Sequence, residues 1–517
     1  MIFTKVFNSN ISYIVPDKNV NLHMAILLYQ YHNLKMKEFI KTTHVILVLG
    51  ILFVQASLLA RTLDVGIGKT YANPRLACLD AQPGDTVLIH PGEYQGAFFI
   101  EDISGTANAS IVIRGIDRDS VIFKGGSESM HFSDCSYMII ENFTVNGQTS
   151  NGMNCDDGGT FDTPTHHMIF RYLTFSGMGA SGNNDQLKVS GLDDFVIENC
   201  IFENGSPGGS GADMVGCHKG IFRNNIFRKS GSNCIQAKGG TRYIRIEQNS
   251  FIDGGQRALN LGGSTGLEFF RPLNATHEAA DLLVTGNVFV RSVTPMAYVG
   301  SVRVSVTNNT IIDPERWVFR ILQETVDPNR FEPCGNNIFQ NNLVVFRSTI
   351  SRHVNIGGNT APQTFLLRNN LWFNVDNPSA SKPQEAQLTE SNSLYGIDPE
   401  LESYQNGDYR LKSMSPAIGK GFSTGESIKD HAGKPFANPP SIGAYEGQSI
   451  SGIDELLAQK NIEYTRTIDG IWLTIPQMQL PMLFDIFDIR GAYLKTIVAN
   501  EIRTFISLGR YEFVMGR

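Results

Sequence analysis

Apolar and polar residues alternate in short segments along the middle of the chain, and most segments carry an asparagine before a second apolar pair. This unit recurs at 138–143, 195–202, 220–227, 244–251, 283–289, 304–311, 337–344 and 365–372. The aligned asparagines are residues 225, 249, 287, 309, 342 and 370, so the spacing varies between 22 and 38 residues. Irregular repeats of this length are typical of a solenoid, and the period of two indicates strands rather than helix pairs.

The recurring asparagine suits the bends between the strands of a coiled solenoid. Asparagine tolerates left-handed backbone angles and hydrogen-bonds to its neighbours. Stacked coils would place the amides above one another as a ladder, with aliphatic and aromatic side chains filling the interior. A β-sandwich of hairpins is the alternative, but it has no asparagine column in register, and two-residue hairpin turns are few here. We therefore predict an all-β chain, a right-handed parallel β-helix followed by a small β-sandwich-like C-terminal module.

Motifs at both ends of the repeats support this fold by resemblance. Residues 81–94 give a turn, a buried strand and a second turn, and they resemble the opening segment of secreted β-helix polysaccharide lyases. Segments that resemble the closing part of the same pectin-lyase-like superfamily are 398–400, 409–411, 415–418 and 441–446. The resemblance implies a secreted polysaccharide-lyase-like protein and leaves pectate, alginate and glycosaminoglycan substrates open. We expect the β-helix to span residues 61–446.

The N-terminal 60 residues are interpreted as an extension and a signal peptide. The apolar run Val45–Val54 follows the basic segment Met36–Lys41 and leads to Ser57–Ala60, which offers a small residue at the expected cleavage position. This is the layout of a signal peptide that starts at Met36. An uncleaved membrane anchor is the alternative. In both cases we expect a location outside the cell or on its surface, in a Gram-negative bacterium, with membrane contact only through this segment or by outer-surface attachment.

Residues 447–517 are expected to hold a linker and a small β domain. A short helix is predicted at 453–460, and strands are predicted in 470–475, 483–491 and 509–514. Their layout resembles the C-terminal sorting domain of type IX secretion in Bacteroidetes. A plain β-sandwich appendage is the alternative.

Composition narrows the partners. The net charge of −7 argues against nucleic acid as a partner, so an acidic polymer would need a local basic patch. The cysteines are 78, 135, 155, 200, 217, 234 and 334, an odd number without the clustered spacing of a zinc site or a disulfide framework. We interpret them as structural, with Cys200 in the asparagine column, and we expect a monomer.

Four successive coils are unusually rich in polar residues and glycine: 183–188, 211–219, 233–240 and 256–264. If Leu187, Met214, Ile235 and Leu259 point inward, the alternate positions face outward. These outward positions are Gln186, Lys188, Asp213, Gln236, Lys238 and Asn260. Coils rise by about 4.8 Å, so the side chains would share one face. The glycines at 239, 240, 262 and 263 would leave that face open to a large ligand.

Such a face suits β-elimination of a uronate polymer, which needs a neutralised sugar carboxylate, a base for the C5 proton and a proton for the leaving oxygen. Lys238 is the first candidate for the base and Lys188 the second, Arg257 would bind the carboxylate, and His218 is a candidate acid. Gln236, Asn260 and Arg271 are candidate substrate contacts, and Asp185 and Asp213 are candidate ligands of Ca²⁺. Each residue also has a plain structural role open to it, such as a solvated lysine, a turn-capping Asp213 or a structural His218.

A polysaccharide lyase acting on an acidic polysaccharide is therefore the favoured function. A β-helix hydrolase would need paired carboxylates, and the adjacent residues Asp156 and Asp157 offer one such pair. A uronate C5-epimerase and a non-catalytic glycan-binding adhesin remain as further alternatives.

Overall fold

In this computed structural model the described residues are 30–35, 60–160, 163–350, 352–425, 428–447, 463–467, 470–476, 480–488, 493–507 and 512–516. The chain divides into two compact units, Met1–Ala60 and Arg61–Arg517. In the first unit, residues 30–35 are helical. The expected signal segment 45–54 and the expected helix at 453–460 lie outside the described residues. Where the structure describes the chain, no helix combines the length and the apolar character needed to span a membrane.

Three long parallel sheets build the second unit up to residue 395. Strands are numbered in chain order. Sheet A contains β1 (Thr62–Val65), β2 (Thr86–Ile89), β5 (Ile111–Gly115), β8 (Ser136–Glu141), β11 (Thr165–Arg171), β14 (Leu192–Asp193), β15 (Val196–Glu198), β18 (Ile221–Arg223), β22 (Arg245–Glu247), β26 (Leu283–Thr285), β30 (Ser305–Thr307), β33 (Ile338–Gln340), β36 (Leu366–Arg368) and β38 (Glu390–Ser391). Sheet B contains β3 (Gly92–Tyr94), β6 (Val121–Lys124), β9 (Thr144–Asn146), β12 (Thr174–Ser176), β16 (Ile201–Glu203), β19 (Ile226–Arg228), β23 (Ser250–Ile252), β27 (Val288–Val290), β31 (Thr310–Ile312), β34 (Leu343–Phe346), β37 (Leu371–Asn374) and β39 (Leu394–Tyr395). Sheet C contains β4 (Phe98–Glu101), β7 (Met130–Ser133), β10 (Met153–Asp156), β13 (Leu187–Ser190), β17 (Ser210–Val215), β20 (Asn233–Lys238), β24 (Arg257–Gly262), β28 (Met296–Val299), β32 (Phe319–Leu322) and β35 (Val354–Ile356).

Each strand pairs in parallel with the strand one coil later in the same sheet. In sheet A, for example, Ile197 is in register with Phe170 on one side and with Phe222 on the other. A small parallel sheet joins β21 (Thr241–Arg242), β25 (Ala279–Ala280) and β29 (Ser301–Val302) at a corner of the cylinder. The 3-10 helices are Leu267–Phe269, Pro362–Thr364, Pro378–Ala380 and Tyr404–Asn406. The predicted fold class, a right-handed parallel β-helix, is confirmed.

Apolar side chains, many of them aromatic, fill the interior of the cylinder. Five phenylalanines of sheet B stack with nearly parallel rings at centroid distances of 4.9, 4.5, 5.2 and 4.7 Å: Phe175, Phe202, Phe227, Phe251 and Phe289. All five are buried. Stacked aromatic pairs add to the free energy gained from burial alone, so this column holds neighbouring coils together.

The asparagine ladder is present where the repeat predicts it. In each buried member the side-chain oxygen accepts from the backbone N–H of the ladder residue one coil earlier, and the amide donates to a strand carbonyl. Cys200 occupies the first position, because its N–H donates to Asn225 Oδ1 at 2.9 Å. The left-handed bend belongs to the preceding residue, for example Asn224 (φ 55°) or Asn308 (φ 53°). The sequence predicts that one asparagine both makes the bend and forms the ladder, but the structure assigns the bend to the first residue of the polar pair and the ladder hydrogen bonds to the second.

A short helix, α1 (Pro74–Asp80), packs against β1, β2 and β4 in the first coils. Asn73 caps it by accepting from Leu76 N–H at 3.1 Å, and proline occupies its first turn. Its buried face carries Ala77 and Cys78, which belong to the main core. The seven cysteines are all free and buried, in agreement with a structural role.

The closing segment covers the outside of sheet B rather than adding coils. Strands β40 (Leu401–Ser403) and β41 (Asp408–Leu411) pair antiparallel. An apolar cluster joins this segment to outward side chains of sheet B: Leu401, Leu411, Ala417, Ile442 and Ala444 with Val288, Val290, Ile312, Leu343, Val345 and Leu371. Ser441 O accepts from Asn308 Nδ2 at 2.8 Å, and Ala444 N–H donates to Thr310 Oγ1 at 2.9 Å. Four of the twelve strands of sheet B, β27, β31, β34 and β37, are thus covered on their outer face as well.

The C-terminal strands form two antiparallel sheets. One contains β42 (Glu463–Thr467), β43 (Gly470–Thr474) and β46 (Arg503–Ser507), and the other β44 (Met482–Asp488), β45 (Tyr493–Ala499) and β47 (Glu512–Gly516). The strands predicted in 470–475, 483–491 and 509–514 correspond to β43, β44 and β47.

Removing one ladder amide should destabilise the β-helix. Asn309 is fully buried, and its Nδ2 donates to Val284 O, Thr307 O and Asn342 Oδ1, each at 3.0 Å. Asn309→Ala would leave these groups without partners, so we expect a loss of about 2 to 4 kcal/mol in the free energy of unfolding, measured by urea denaturation. Asn329→Ala, at an exposed turn, is the control and should change stability by less than about 0.5 kcal/mol. Equal effects of the two variants would contradict a structural role of the ladder.

Candidate functional site

Polar side chains form a continuous row on the outer face of sheet C. Strand register aligns the members, which we call the polar row: His131, Asn154, Lys188, Asp213, Gln236, Asn260, Arg320 and Asn355, with Ala297 between Asn260 and Arg320. The row crosses nine neighbouring strands of sheet C, from β7 to β35, and eight of them carry a polar member. Neighbouring strands of a sheet lie about 4.8 Å apart. A flat row of this length fits a linear polymer better than a small molecule.

The centre of the row is a lysine cluster made of Asp185, Lys188, Asp213 and Lys238. Asp213 is in register with Lys188, and its Oδ2 contacts both Lys188 Nζ and, at 3.2 Å, Lys238 Nζ. Asp185 Oδ2 lies 3.7 Å from Lys188 Nζ, and its Oδ1 accepts from Ser210 N–H at 2.7 Å. The carboxylate side chains are 2% and 1% exposed, whereas those of Lys188 and Lys238 are 26% and 12% exposed. The cations therefore face the solvent and the anions lie beneath them.

The surroundings shift the protonation of two members. Burial and, next to it, the neighbouring Asp213 carboxylate raise the pKa of Asp185 to about 6, against the lowering effect of Lys188, Ser210 N–H and Lys238. Burial alone would lower the pKa of Lys188, but the carboxylates of Asp213 and Asp185 outweigh burial and hold the pKa above its ordinary value. Lys188 therefore remains an ammonium ion at neutral pH. One buried acceptor, Asp213 Oδ1, has no hydrogen-bond partner.

Amide and guanidinium groups continue the site beyond the lysines. Arg257 donates to Asn260 Oδ1 and to Glu324 Oε1, both at 2.9 Å, and its side chain is 20% exposed. Gln236 lies between Asp213 and Asn260 in the row, and its Oε1 is 3.3 Å from Asn233 Nδ2. These groups offer hydrogen-bond donors next to Lys238.

Arginines occupy the end of the row. Arg320 donates to Asn355 Oδ1 at 2.9 Å. The guanidinium groups of Arg320 and Arg316 both lie over the ring of Trp317, at 4.7 and 4.0 Å from its centroid, respectively. Burial and the charge of Arg257 lower the pKa of Arg320. Two guanidinium groups are therefore close enough to repel one another, as expected where an anion is to be bound.

His218 and Arg271 belong to a different cluster. The Arg271 guanidinium forms two hydrogen bonds with Asp193, at 2.7 and 3.1 Å, and one with Gly216 O at 3.0 Å. His218 Nδ1 lies 3.3 Å from Asp193 Oδ1, and both His218 and Arg271 are buried. Although burial opposes it, bonding to His218 and Arg271 holds the pKa of Asp193 well below its usual range. This cluster anchors the 263–278 connection to the cylinder, which leaves the proposed acid and substrate-binding roles without support from the geometry.

Two expectations about this face were wrong. Gln186 does not point outward: it is fully buried at the corner before β13, where its Nε2 donates to Phe175 O and Glu203 O. The glycines do not hold the face open. Gly240 and Gly262 have φ of 86° and 122°, and a Cβ would lie 2.5 Å from Arg271 O and 1.7 Å from Val299 O, respectively. They are required by backbone conformation and close approach.

Asp185 and Asp213 do not fit a calcium site in this arrangement. Calcium takes six to eight oxygen ligands, but here two ammonium groups already lie against the carboxylate of Asp213. Among the described residues, no group of three or more His, Cys, Asp or Glu side chains is placed to hold a metal ion. The ammonium groups of Lys188 and Lys238 occupy the positions next to Asp213 where the sequence led us to expect calcium.

Sequence reasoning missed both ends of the row. Arg320 lies in the alternating segment 318–322, and His131 lies in 130–133. His131 Nε2 lies 2.6 Å from Asp156 Oδ2, and Glu128 lies 3.5 Å from its Nδ1. Burial opposes protonation, but the two carboxylates outweigh it and raise the pKa of His131 to about 9. Alternation alone would have found both residues, but neither segment carries the asparagine that marked the repeat.

No protein-family profile matches the chain, and neither does any curated protein. Similar solved structures exist. An alginate lyase from Paenibacillus sp. str. FPU-7 is 16% identical, over 57% of this chain and 97% of that one, with a TM-score of 0.40. Pectate lyase Pel9A is 14% identical, over 75% and 96%, with a TM-score of 0.43. The A-module of the mannuronan C-5 epimerase AlgE6 from Azotobacter vinelandii is 14% identical, over 62% and 94%, with a TM-score of 0.44.

The raised pKa of Asp185 predicts a pH-dependent stability. The folded chain binds this proton more tightly than the unfolded chain, whose pKa is near 3.8. The stabilisation is therefore fully present below about pH 4 and is lost as the pH rises through about 6. Asp185→Asn removes this dependence, so the stability of the wild type relative to the variant should fall by at most about 3 kcal/mol between pH 4 and pH 7.5.

Urea denaturation of both proteins at the two pH values measures the difference. Asp119→Asn, at a carboxylate that is 88% exposed, controls for the loss of one negative charge. A relative stability of Asp185→Asn that is constant with pH would show that Asp185 titrates alike in the folded and unfolded chain.

Proposed function

We propose that the chain is a secreted polysaccharide lyase that cleaves a uronate-containing polysaccharide by β-elimination. The observation that carries the proposal is the meeting of Lys188, Asp213 and Lys238 on three consecutive strands of an exposed parallel sheet. Arg257 and Arg320 extend the positive charge along the same face. A chain with a net charge of −7 thus concentrates cations where a linear anionic polymer can lie.

β-Elimination moves one proton and one electron pair. A base removes the proton from C5 of the uronate, the electrons of that C–H bond form the C4–C5 double bond, and the C4–O bond breaks. The leaving oxygen takes a proton and becomes a hydroxyl. The C5 proton is removable only if the sugar carboxylate is neutralised, because negative charge then builds up beside a cation instead of beside another anion.

The two lysines suit different roles in this step. The pKa of Lys188 lies above its ordinary value, so Lys188 stays charged and is suited to neutralising the sugar carboxylate. Lys238 makes the more distant contact with Asp213, at 3.2 Å, and it lies beside the donors of Gln236. We assign proton abstraction to Lys238, which acts in its neutral form after its ammonium group has released a proton to water, and which becomes an ammonium group again when its Nζ takes the C5 proton.

Asp213 and Asp185 hold the lysines in place. Removing the negative charge beneath two ammonium groups would let them move apart, so both carboxylates act as positioning residues. Arg257, with Asn260 as its partner, is placed to bind a carboxylate or a ring oxygen of the next sugar through its planar guanidinium.

Hydrolysis is a second candidate, favoured by one observation. Asp156 and Asp157 line a cleft on sheet C next to the lysine cluster, and their pKa values are shifted in opposite directions. Hydrogen bonds from His131 and Gly158 outweigh burial and lower the pKa of Asp156, whereas burial raises that of Asp157. A glycoside hydrolase uses two carboxyl groups whose pKa values are set apart in this way, the higher one serving as the acid.

The lyase proposal predicts an unsaturated product. Incubation of the purified full chain with uronate polymers should increase ultraviolet absorbance as C4–C5 double bonds form. Lys238→Ala should lower kcat by about 10² to 10⁴-fold, since it removes the base. Lys219→Ala, at a lysine whose side chain is 61% exposed and which lies outside the polar row, should leave kcat unchanged.

Circular dichroism must show that both variants fold. New reducing ends without ultraviolet absorbance would favour the hydrolase, and Asp156→Asn should then abolish the activity. Binding without turnover on every polymer would overturn the enzyme assignment in favour of a glycan-binding protein.

The lysine cluster also predicts that activity does not depend on calcium. After treatment with a chelator and gel filtration, kcat/KM on the preferred polymer should remain within about twofold of the untreated value, because ammonium groups rather than a metal ion neutralise the carboxylate. Loss of activity on chelation with recovery on adding calcium would show that Asp185 and Asp213 bind the ion after rearrangement.

A further inference from the structure

We infer that the cleft next to the lysine cluster is a subsite for an uncharged sugar, so that the substrate is a mixed polysaccharide in which a uronate is bonded to a neutral pyranose. The inference rests on the proposed function for the uronate and goes beyond it by naming the adjoining sugar. Three observations support it: two exposed aromatic rings, the pairing of the charges in the cleft, and its place on the sheet.

The cleft has a volume of about 420 Å³ and opens on the outer face of sheet C. Its walls include Phe99, His131, Asp156, Ser190, Val215 and Phe269. Five of these residues lie on successive strands of the sheet, β4, β7, β10, β13 and β17, and Phe269 comes from the connection between β24 and β25. The cleft is large enough for a pyranose ring with its hydroxyl groups.

Two phenylalanines present their rings to this cleft. Phe99 is 44% exposed, and its ring contacts that of His131 at a centroid distance of 4.2 Å, with the ring planes tilted by 34°. Phe269 is 60% exposed, although the next residue, Phe270, is buried against Phe331 at 5.3 Å. Arg271 N–H bonds to Gly239 O at 2.9 Å, so the backbone that carries Phe269 is fixed. An exposed ring held in place costs little entropy on binding and can cover the apolar face of a sugar.

The charges of the cleft do not favour a second carboxylate. Its described lining contains two cations, and both are already paired: His131 with Asp156 and Glu128, and Arg271 with Asp193. Asp156 and Asp157 add negative charge to the wall. A uronate here would face carboxylates without a cation to neutralise it, whereas sugar hydroxyls can donate to them. The arginine end of the polar row has the opposite character.

The cleft and the lysine cluster occupy the same strands. Ser190 and Lys188 are two residues apart on one face of β13, and Val215 and Asp213 are two residues apart on β17. Residues so spaced lie about 7 Å apart, close to the length of one sugar residue. A uronate held by Lys188 and Lys238 would therefore place its neighbour in the cleft.

The test compares two sets of polymers with the full chain. Hyaluronan and heparosan, which alternate glucuronate with an uncharged sugar, should be cleaved with kcat/KM at least about tenfold higher than polygalacturonate, polymannuronate and polyguluronate. The double variant Phe99→Ala, Phe269→Ala should reduce this preference to about one. Leu267→Ala removes an exposed side chain from the same 3-10 helix and should leave the preference unchanged.

Direct binding separates the inference from the proposed function. Saturation-transfer NMR should detect methyl glucoside on the wild type but not on the double phenylalanine variant, and methyl glucuronide should give the weaker signal at this site. Faster cleavage of the homopolyuronates, or a methyl glucoside signal on the double variant as strong as on the wild type, would overturn the inference while the lyase stands. Binding of methyl glucoside with no unsaturated product from any polymer would overturn the lyase and leave the subsite.

Discussion

The fixed register between successive coils is the constraint on which the rest of the molecule depends. The buried amides set this register, because each ladder asparagine bonds to the coil before it and to the coil after it, as Asn225 does with Ile197 O and with Asn249 Oδ1. The same register places Lys188 beside Asp213, and Asp213 beside Gln236, although 25 and 23 residues of chain separate them. A shift of one residue in any coil would turn these side chains into the core, so the site inherits its geometry from the ladder.

The strands and the outward side chains can be predicted from the sequence where a short pattern repeats along the chain. Alternation and the asparagine column identify the strands, and outward positions such as Lys238 and Asn260 follow from the same period. The prediction is wrong at Gln186, because the chain turns a corner there and consecutive side chains point inward. Arg271 could not be placed at all, since its partner Asp193 is 78 residues away and no repeat relates them. His131 and Arg320 lie in the segments 130–133 and 318–322, which do not themselves contain the marker asparagine.

The buried carboxylates are costly elements that stability does not explain. Asp213 is 1% exposed and leaves one oxygen without a partner, while Asp185 is held where its proton is hard to remove. Buried ion pairs often cost more in lost hydration than they return, and apolar side chains would fill the same space at lower cost. Such groups are commonly found where chemistry requires them, and here they fix two cations at the surface. The protonation of Asp185 near pH 6 also couples their arrangement to pH.

The short helix in the first coils affects whether copies of the chain can associate end to end. A stack of parallel strands has no natural end, because the last strand at each terminus presents free N–H and C=O groups that can pair with another copy. Head-to-tail pairing of that kind does not close on itself and leads to fibres. Helix α1 lies against β1, β2 and β4 and fills the bore with Ala77 and Cys78 instead of a further turn of strand. A seven-residue plug therefore blocks one route by which these coils would polymerise into filaments.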